Sequence, residues 1–270
     1  MKYYKKLLIL FVVVVTIFIL YTLFMQRQKI LRSLRENMDD GTSSDQNSEF
    51  NSLVSKYTEN ESLSSFTFDD DTMQLKQYVI KASADSTLTG KYVNVNMIEF
   101  LLNRGVRFMD FSVFSFDQTP YVAYSTDSTG MNLDSRNKIP LAMVLRKINK
   151  ITSEYTDPIF IHLRIFGHNT ELYNKIGNFI SETFGSRLAN GTINGNTSMK
   201  NLKKKIVIMV DKTSAPDYAS SKELKEVVNS ETGTYLIGIS KALHLMNQTT
   251  PNLKVIENKT TNVSNMEIIY

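Results

Sequence analysis

From Gln77 onward, apolar residues arrive in two periods that alternate along the chain, and this alternation constrains the fold more than any other feature. Short, nearly continuous apolar runs read as strands: Tyr78–Ile80, Val106–Ser115, Pro158–Phe166, Lys205–Asp211 with IVIMV at its centre, and Tyr235–Ile239. Between them, apolar residues at helical spacing predict helices over Asn94–Arg104, Leu141–Ile151, Thr170–Phe184 and Lys222–Val228. Pro120–Ser125 reads as the return strand of a hairpin across Asp117-Gln118-Thr119. Leu253–Ile256 and Glu267–Tyr270 are further strand candidates. Strands that alternate with helices imply parallel β/α units, and runs without polar alternation imply strands covered on both faces. The expected class is α/β, a TIM-type β/α barrel that is irregular or incomplete, because a full barrel of eight units usually needs about 250 residues. Such folds carry their sites at the C-terminal ends of the strands. Here those ends are Lys81–Asp85, Asp110–Ser115, Arg164–His168, Asp211–Thr213 and Ser240.

Ahead of this domain, Leu7–Met25 holds no charge, Gly or Pro. Nineteen residues at helical rise span about 28 Å, close to the hydrocarbon thickness of a bilayer. The run is longer than the core of a signal peptide and ends in Gln26, Arg27, Gln28 and Lys29, so it reads as an N-terminal transmembrane helix. Basic residues flank it on both sides, Lys2, Lys5 and Lys6 before and Arg27, Lys29, Arg32 and Arg35 after, which leaves the orientation open. Six Asn-X-Ser/Thr sequons begin at Asn60, Asn190, Asn196, Asn247, Asn258 and Asn262, but Asn, Ser and Thr are abundant enough to produce several without selection. The expected organisation is a membrane anchor over 1–29, a polar flexible stalk over 30–74 and the β/α domain over 75–270.

The chain has no Cys, which removes disulfides, thiol catalysis and thiolate metal sites. A net charge of +4 is too small an excess to argue for nucleic acid. No P-loop, GxGxxG, HExxH or Ser/His/Asp pattern is present. His162 alternates with Phe160 and Arg164, so the three share one strand face, and His162 reads as a packed, hydrogen-bonded residue. His168 lies just past the strand, within reach of a site mouth, and His244 falls beyond the last clear strand. Lys203-Lys204-Lys205 reads as a solvated start to its strand, with contact to anionic headgroups as the alternative.

Four segments, in order from Lys81 to Lys212, carry a family resemblance. KASADSTLTG at Lys81–Gly90, LLNRGVRFMDFSVFSFDQTPYVAYST at Leu101–Thr126, DPIFIHLRIFGHN at Asp157–Asn169 and LKKKIVIMVDK at Leu202–Lys212 resemble the conserved blocks of phosphatidylinositol-specific phospholipase C X domains. The resemblance implies a phosphodiesterase ancestry: one His activates the inositol hydroxyl, a second protonates the leaving oxygen, and calcium or an Arg stabilises the phosphate. By position, Ala84 stands for the first His, and the second falls near Ala123–Ser125, with Tyr124 the nearest polar residue. Asp85 and Asp110 keep the acidic positions, Phe108 and Ser112 stand where cation-handling residues are found, and Arg164 replaces a metal-binding Glu. The resemblance therefore implies a degenerate site at Ala84, Asp85, Asp110, Ser112 and Tyr124, with Arg164 and Lys212 left to hold an anion. Asp85 and Asp110 alone are weak metal candidates, since hard cations want several oxygens, and no cofactor is expected. A competing reading keeps phosphodiesterase activity and calcium through a reassigned site that uses His168 or His162 with Asp85, Asp110 and Arg164. The expected partners are membrane lipid, anionic headgroups, and other membrane or capsid proteins. Similar X-domain-like proteins occur in large DNA viruses, which would suit a virion membrane protein.

Overall fold

The computed structural model describes residues 21–22, 44–57, 73–78, 80–127, 132–233, 237–240 and 266–269. The chain divides into two units, Met1–Ser43 and Ser44–Tyr270. Of the first, only Tyr21 and Thr22 are described, and both are helical. The rest of the apolar run Leu7–Met25 lies outside the described residues, among which no helix is long and apolar enough to cross a membrane.

The second unit is a mixed α/β structure. Its main sheet has seven strands: β1 (Ala82–Ser83), β2 (Phe108–Phe116), β3 (Thr119–Val122), β4 (Ile139–Pro140), β5 (Ile159–Phe166), β6 (Ile206–Asp211) and β7 (Ser230–Thr232). β2 organises it. One edge of β2 pairs along its length with β5 in parallel, from Phe108↔Phe160 to Phe114↔Phe166. The other edge is shared: β1 pairs in parallel at Phe108 and Met109, and β3 pairs antiparallel from Val113 to Phe116. β4 extends the hairpin side, and β6 and β7 continue the parallel side. β1, β2, β5, β6 and β7 thus stand in chain order, all parallel. A second sheet pairs β8 (Ile237–Ser240) with β9 (Met266–Ile269), also in parallel.

Five helices accompany the sheets: α1 (Ser44–Ser55), α2 (Asn96–Asn103), α3 (Leu141–Ile151), α4 (Thr170–Phe184) and α5 (Lys222–Val227). Asn169 starts α4 by accepting the Glu171 N–H at 2.8 Å, and Ser221 starts α5 by accepting the Leu224 N–H at 3.1 Å, which supplies partners for otherwise unpaired donors.

Strand alternation divides the core in two. On the helix-facing side Met109, Phe111 and Val113, Ile161 to Ile165 in steps of two, and Ile206, Ile208 and Val210 bury against Ile98, Leu145, Ile148, Leu172, Ile176 and Leu224. On the other side Phe108, Phe160, Val207 and Met209 form a smaller cluster with Leu75, Met199 and Leu202. Further along that same inner side the residues become polar: Asp110 and Ser112 on β2, His162 and Arg164 on β5, Thr232 on β7.

Several expectations need correction. The polar segment expected to be a flexible stalk contains α1, whose Phe50, Leu53, Val54 and Tyr57 recur at helical spacing and whose Phe50 ring meets Phe100 of α2 edge-on at 6.4 Å. Its backbone is thereby packed on the domain. The hairpin turn is two residues, Asp117 and Gln118, both at positive φ (49° and 58°), so Thr119 already belongs to β3. The strand expected to begin at Tyr78 starts later, as β1 at Ala82: a 3-10 turn at Leu75–Gln77 precedes it, where Leu75 and Lys76 donate to Thr197 and Gly195, and Tyr78 and Ile80 pack under the inner cluster. β7, with the sequence Ser-Glu-Thr, carried no apolar signal and was missed. Tyr235 and the candidate strand Leu253–Ile256 lie outside the described residues.

Candidate functional site

The loop after β1 and the inner faces of β2 and β5, within these strands rather than at the C-terminal ends expected, bring Asp85, Asp110, Ser112, His162 and Arg164 into one hydrogen-bonded cluster. Its geometry begins with Asp85. This residue follows β1 with φ at 41°, a left-handed conformation that Asp tolerates better than most residues. The turn aims its N–H at Asp110 Oδ2 (3.1 Å) and lets Ser86 exchange bonds with Asp110, its N–H donating to the Asp110 carbonyl and its hydroxyl accepting the Asp110 N–H. The Asp85 carboxylate reaches across β2, where Ser112 donates to Oδ1 at 2.8 Å.

Arg164 closes the cluster. On β5, Arg164 is in register with Ser112 and two residues beyond His162, the partner of Asp110. Its Nη2 donates to Asp85 Oδ1 and to Asp110 Oδ2, both at 2.6 Å, and its Nε donates to Asp110 Oδ1 at 3.0 Å. The planar guanidinium thus grips Asp110 with two donors while bridging to the second carboxylate. Below it, His162 Nδ1 lies 2.7 Å from the same Asp110 Oδ1, and Nε2 lies 2.7 Å from the Thr232 hydroxyl on β7. An ionised carboxylate only accepts, so Nδ1 carries the proton.

The two carboxylates are pushed apart in acidity. Burial raises the Asp85 carboxyl above its ordinary value; the Arg164 charge pulls it down again and the Asp110 charge pushes it up. Asp110 is more deeply buried, yet the hydrogen bond and charge of His162, together with Arg164, overcome that burial and hold it below the ordinary carboxylate value.

The remaining candidates lie elsewhere. Ala84 is exposed, with a methyl group that can move no proton. Tyr124 follows β3, where its N–H donates to Ser135 Oγ and its carbonyl accepts from Asp134 and Ser135. Lys212 follows β6, its N–H donates to the Thr232 carbonyl, and its ammonium pairs with Glu231 at 3.1 Å, away from the cluster. His168 sits beyond β5, its Nδ1 3.2 Å from Asp217, whose Oδ1 also accepts the Tyr173 hydroxyl at 2.7 Å. The structure thus unites Asp85, Asp110, Ser112, His162 and Arg164 and leaves Lys212 and His168 with other partners. Thr232 is the cluster residue that the sequence did not suggest, because β7 itself carried no signal.

A calcium ion does not fit this donor set. Such an ion takes six to eight oxygens, whereas the two carboxylates here already accept from the Arg164 guanidinium and their oxygens are further engaged by Ser112 and His162. Among the described residues no group of three or more His, Asp or Glu is placed to hold a metal.

Parallel strands in chain order with interleaved helices define a β/α-sheet protein, and the charged cluster lies on the inner face of β2 and β5. The family follows from the sequence: the phosphatidylinositol-specific phospholipase C X domain matches residues 72–212, and the chain belongs to that family. The fold agrees. The crystal structure of L. pealei PLC21 superposes with a TM-score of 0.54 at 14% identity, covering 74% of this chain and 31% of that one. S. officinalis PLC21 gives 0.52 at 15% identity, with the same shares, 74% and 31%. The chain therefore spans under a third of the length of these two proteins. No curated protein sequence matches it significantly.

Proposed function

We propose that this is a membrane-anchored phospholipase-C-X-like domain that no longer hydrolyses phosphodiesters and acts at a lipid surface as a binding or structural protein. Its open parallel sheet is read as an incomplete β/α barrel. The observation that carries the reading is the Arg164 guanidinium bonded to both Asp85 and Asp110, with the exposed Ala84 next to Asp85 in sequence. In the family, this site holds a proton-transferring His and a cation that meets the substrate phosphate. Here Arg164 is bonded to two carboxylates of the chain itself, which outnumber its single positive charge, and Ala84, at the position of the first His, has no proton to give or take. The membrane attachment rests on the apolar run Leu7–Met25. Lipid is the expected partner because the family acts on membrane phospholipids.

One observation favours a second reading, a reassigned phosphodiesterase: His162 is within hydrogen-bond reach of Asp110. Against it, His162 is buried and both its ring nitrogens are occupied by Asp110 and Thr232. The two readings separate in one assay. Purified full-length chain is incubated with mixed micelles of phosphatidylinositol, with and without calcium, and water-soluble inositol phosphate is measured. Each missing acid–base group removes about 10²–10⁴ in rate, so the expected release is at background in both conditions and stays there in Ala84→His. Calcium-dependent release by the unmodified chain would overturn the non-hydrolytic reading.

A further inference from the structure

We propose that Thr89–Tyr92 forms an anion-binding turn whose built-in ligand is the carboxylate of Glu49, which makes α1 a latch on the loop that carries Asp85.

The seat is built from three donors aimed at one oxygen. Glu49 Oε1 accepts the Thr89 hydroxyl at 2.6 Å, the Lys91 N–H at 2.9 Å and the Tyr92 N–H at 3.2 Å. Successive backbone N–H groups folded around one point are a recurrent way to hold an anion. Gly90 makes the fold possible. Its φ is +143°, and a Cβ there would lie 3.3 Å from the same Glu49 oxygen. Lys91 and Arg136 add positive charge that acts on Glu49. Burial alone would raise the Glu49 carboxyl, but the bonds from Thr89, Lys91 and Tyr92 outweigh it and hold the group below its ordinary value.

Other contacts of α1 and the residues after it are apolar, aromatic or single hydrogen bonds. Gln46 is its buried residue, and its carbonyl accepts from Asn94 Nδ2 at 3.4 Å. Past its last turn, Arg104 donates to the Tyr57 carbonyl and lies over the rings of Tyr57 and Phe100. Contacts of this kind at a surface contribute modestly, so the charged seat is the main specific tie. Its position gives it reach. Leu88 N–H donates to the Asp85 carbonyl at 2.7 Å, and Asn94 N–H donates to Thr87 at 2.7 Å, so the turn that Glu49 fills is continuous with the one that presents Asp85 to Arg164. α1 meets the loop after β1 at Glu49, and the chain past its last turn meets the end of α2 at Tyr57. Glu49 is a positioning residue in this scheme, and the inference stands whether or not the domain hydrolyses lipid.

The test is hydrogen exchange of the full chain in detergent micelles, comparing wild type, Glu49→Gln and Glu49→Ala. Losing a bond to a charged acceptor implies exchange about tenfold faster at Lys91 and Tyr92. The expected pattern is that acceleration in Glu49→Ala, spreading through α1 and to the Asp85 amide, a smaller acceleration in Glu49→Gln, and unchanged amides in β5, which confirm that the sheet is folded. Sodium acetate, a small carboxylate probe, should slow Lys91 and Tyr92 in Glu49→Ala and leave wild type unaffected. Unchanged Lys91 and Tyr92 exchange in Glu49→Ala overturns the latch, and failure of acetate to slow them overturns the anion-binding turn.

Discussion

Replacing Arg164 with Met removes the guanidinium while keeping most of the apolar stem. Asp110 is 2% exposed, Asp85 17% and Arg164 28%, so the variant leaves two carboxylates facing each other in a site with little access to solvent. Removing one partner of a buried ion pair costs about 3–5 kcal/mol. The partial exposure of Arg164 and the bond that His162 keeps to Asp110 favour the lower end, about 3 kcal/mol at neutral pH. For a domain of this size that is a fall in Tm of about 6–12 °C. The pH dependence is more diagnostic. Asp85, held above its ordinary value, contributes stability that is present below its unfolded pKa and lost as pH rises through its folded one. Asp110, held below, contributes stability present above its unfolded pKa and lost as pH falls through its folded one. Arg164 lowers both carboxyls, so its loss raises both, and the folded variant takes up protons at higher pH than the folded wild type. The deficit should be largest near pH 7 and shrink towards about pH 5. Urea unfolding followed by tyrosine fluorescence measures it, since the chain has 13 Tyr and no Trp. Adding Asp85→Asn to Arg164→Met should recover part of the loss at pH 7 by removing one of the facing charges. A loss under about 1 kcal/mol, or one equal at both pH values, would refute the internal ion-pair account.

Two further outcomes follow from separate parts of the chain. At Gly177 on α4 a Cβ would lie 2.4 Å from the Glu223 carbonyl carbon and 2.5 Å from the Leu224 nitrogen, both backbone atoms of α5, so Gly177→Ala should force the helices apart and cost about 1–3 kcal/mol in urea unfolding. Gly185→Ala, with nothing within 4 Å and φ at +50°, should cost only about 1 kcal/mol, and equal losses at the two sites would contradict the close approach of α4 and α5. The full chain should stay in the membrane pellet on alkaline extraction because burying the run Leu7–Met25 in lipid is strongly favourable, and its appearance in the supernatant would rule out an integral anchor.

Much of the architecture was legible along the chain. Leu141–Ile151 and Thr170–Phe184 begin and end where their apolar spacing places them, and β5 and β6 fall within a residue of their apolar runs. These elements bury a full stripe or two full faces, so local pattern and tertiary packing ask for the same residues. α1 was hidden because the Ser-Asn-Asp composition around it outweighed the one available signal, the spacing of Phe50, Leu53, Val54 and Tyr57. β7 had no signal to read, since its three residues are held by pairing with Met209, Val210 and Asp211 rather than by any apolar pattern of their own.

The sequence by itself determined that Phe160, His162 and Arg164 share a face, because successive side chains on a strand alternate whatever lies beside them. It also placed Asp85 past one strand and Asp110 on the next, and left no His at Ala84. Which groups those charges would meet was decided only by the tertiary structure. The bridge from Arg164 to both carboxylates requires β5 to lie against β2 with Ser112 opposite Arg164, and requires Asp85 to leave β1 in a left-handed turn. Lys212 shows the same dependence. It follows β6 directly, but its ammonium pairs with Glu231, the residue of β7 opposite Val210, and not with the cluster. A charged side chain takes its partner from register and parity across strands that are distant in sequence, and no local pattern encodes either.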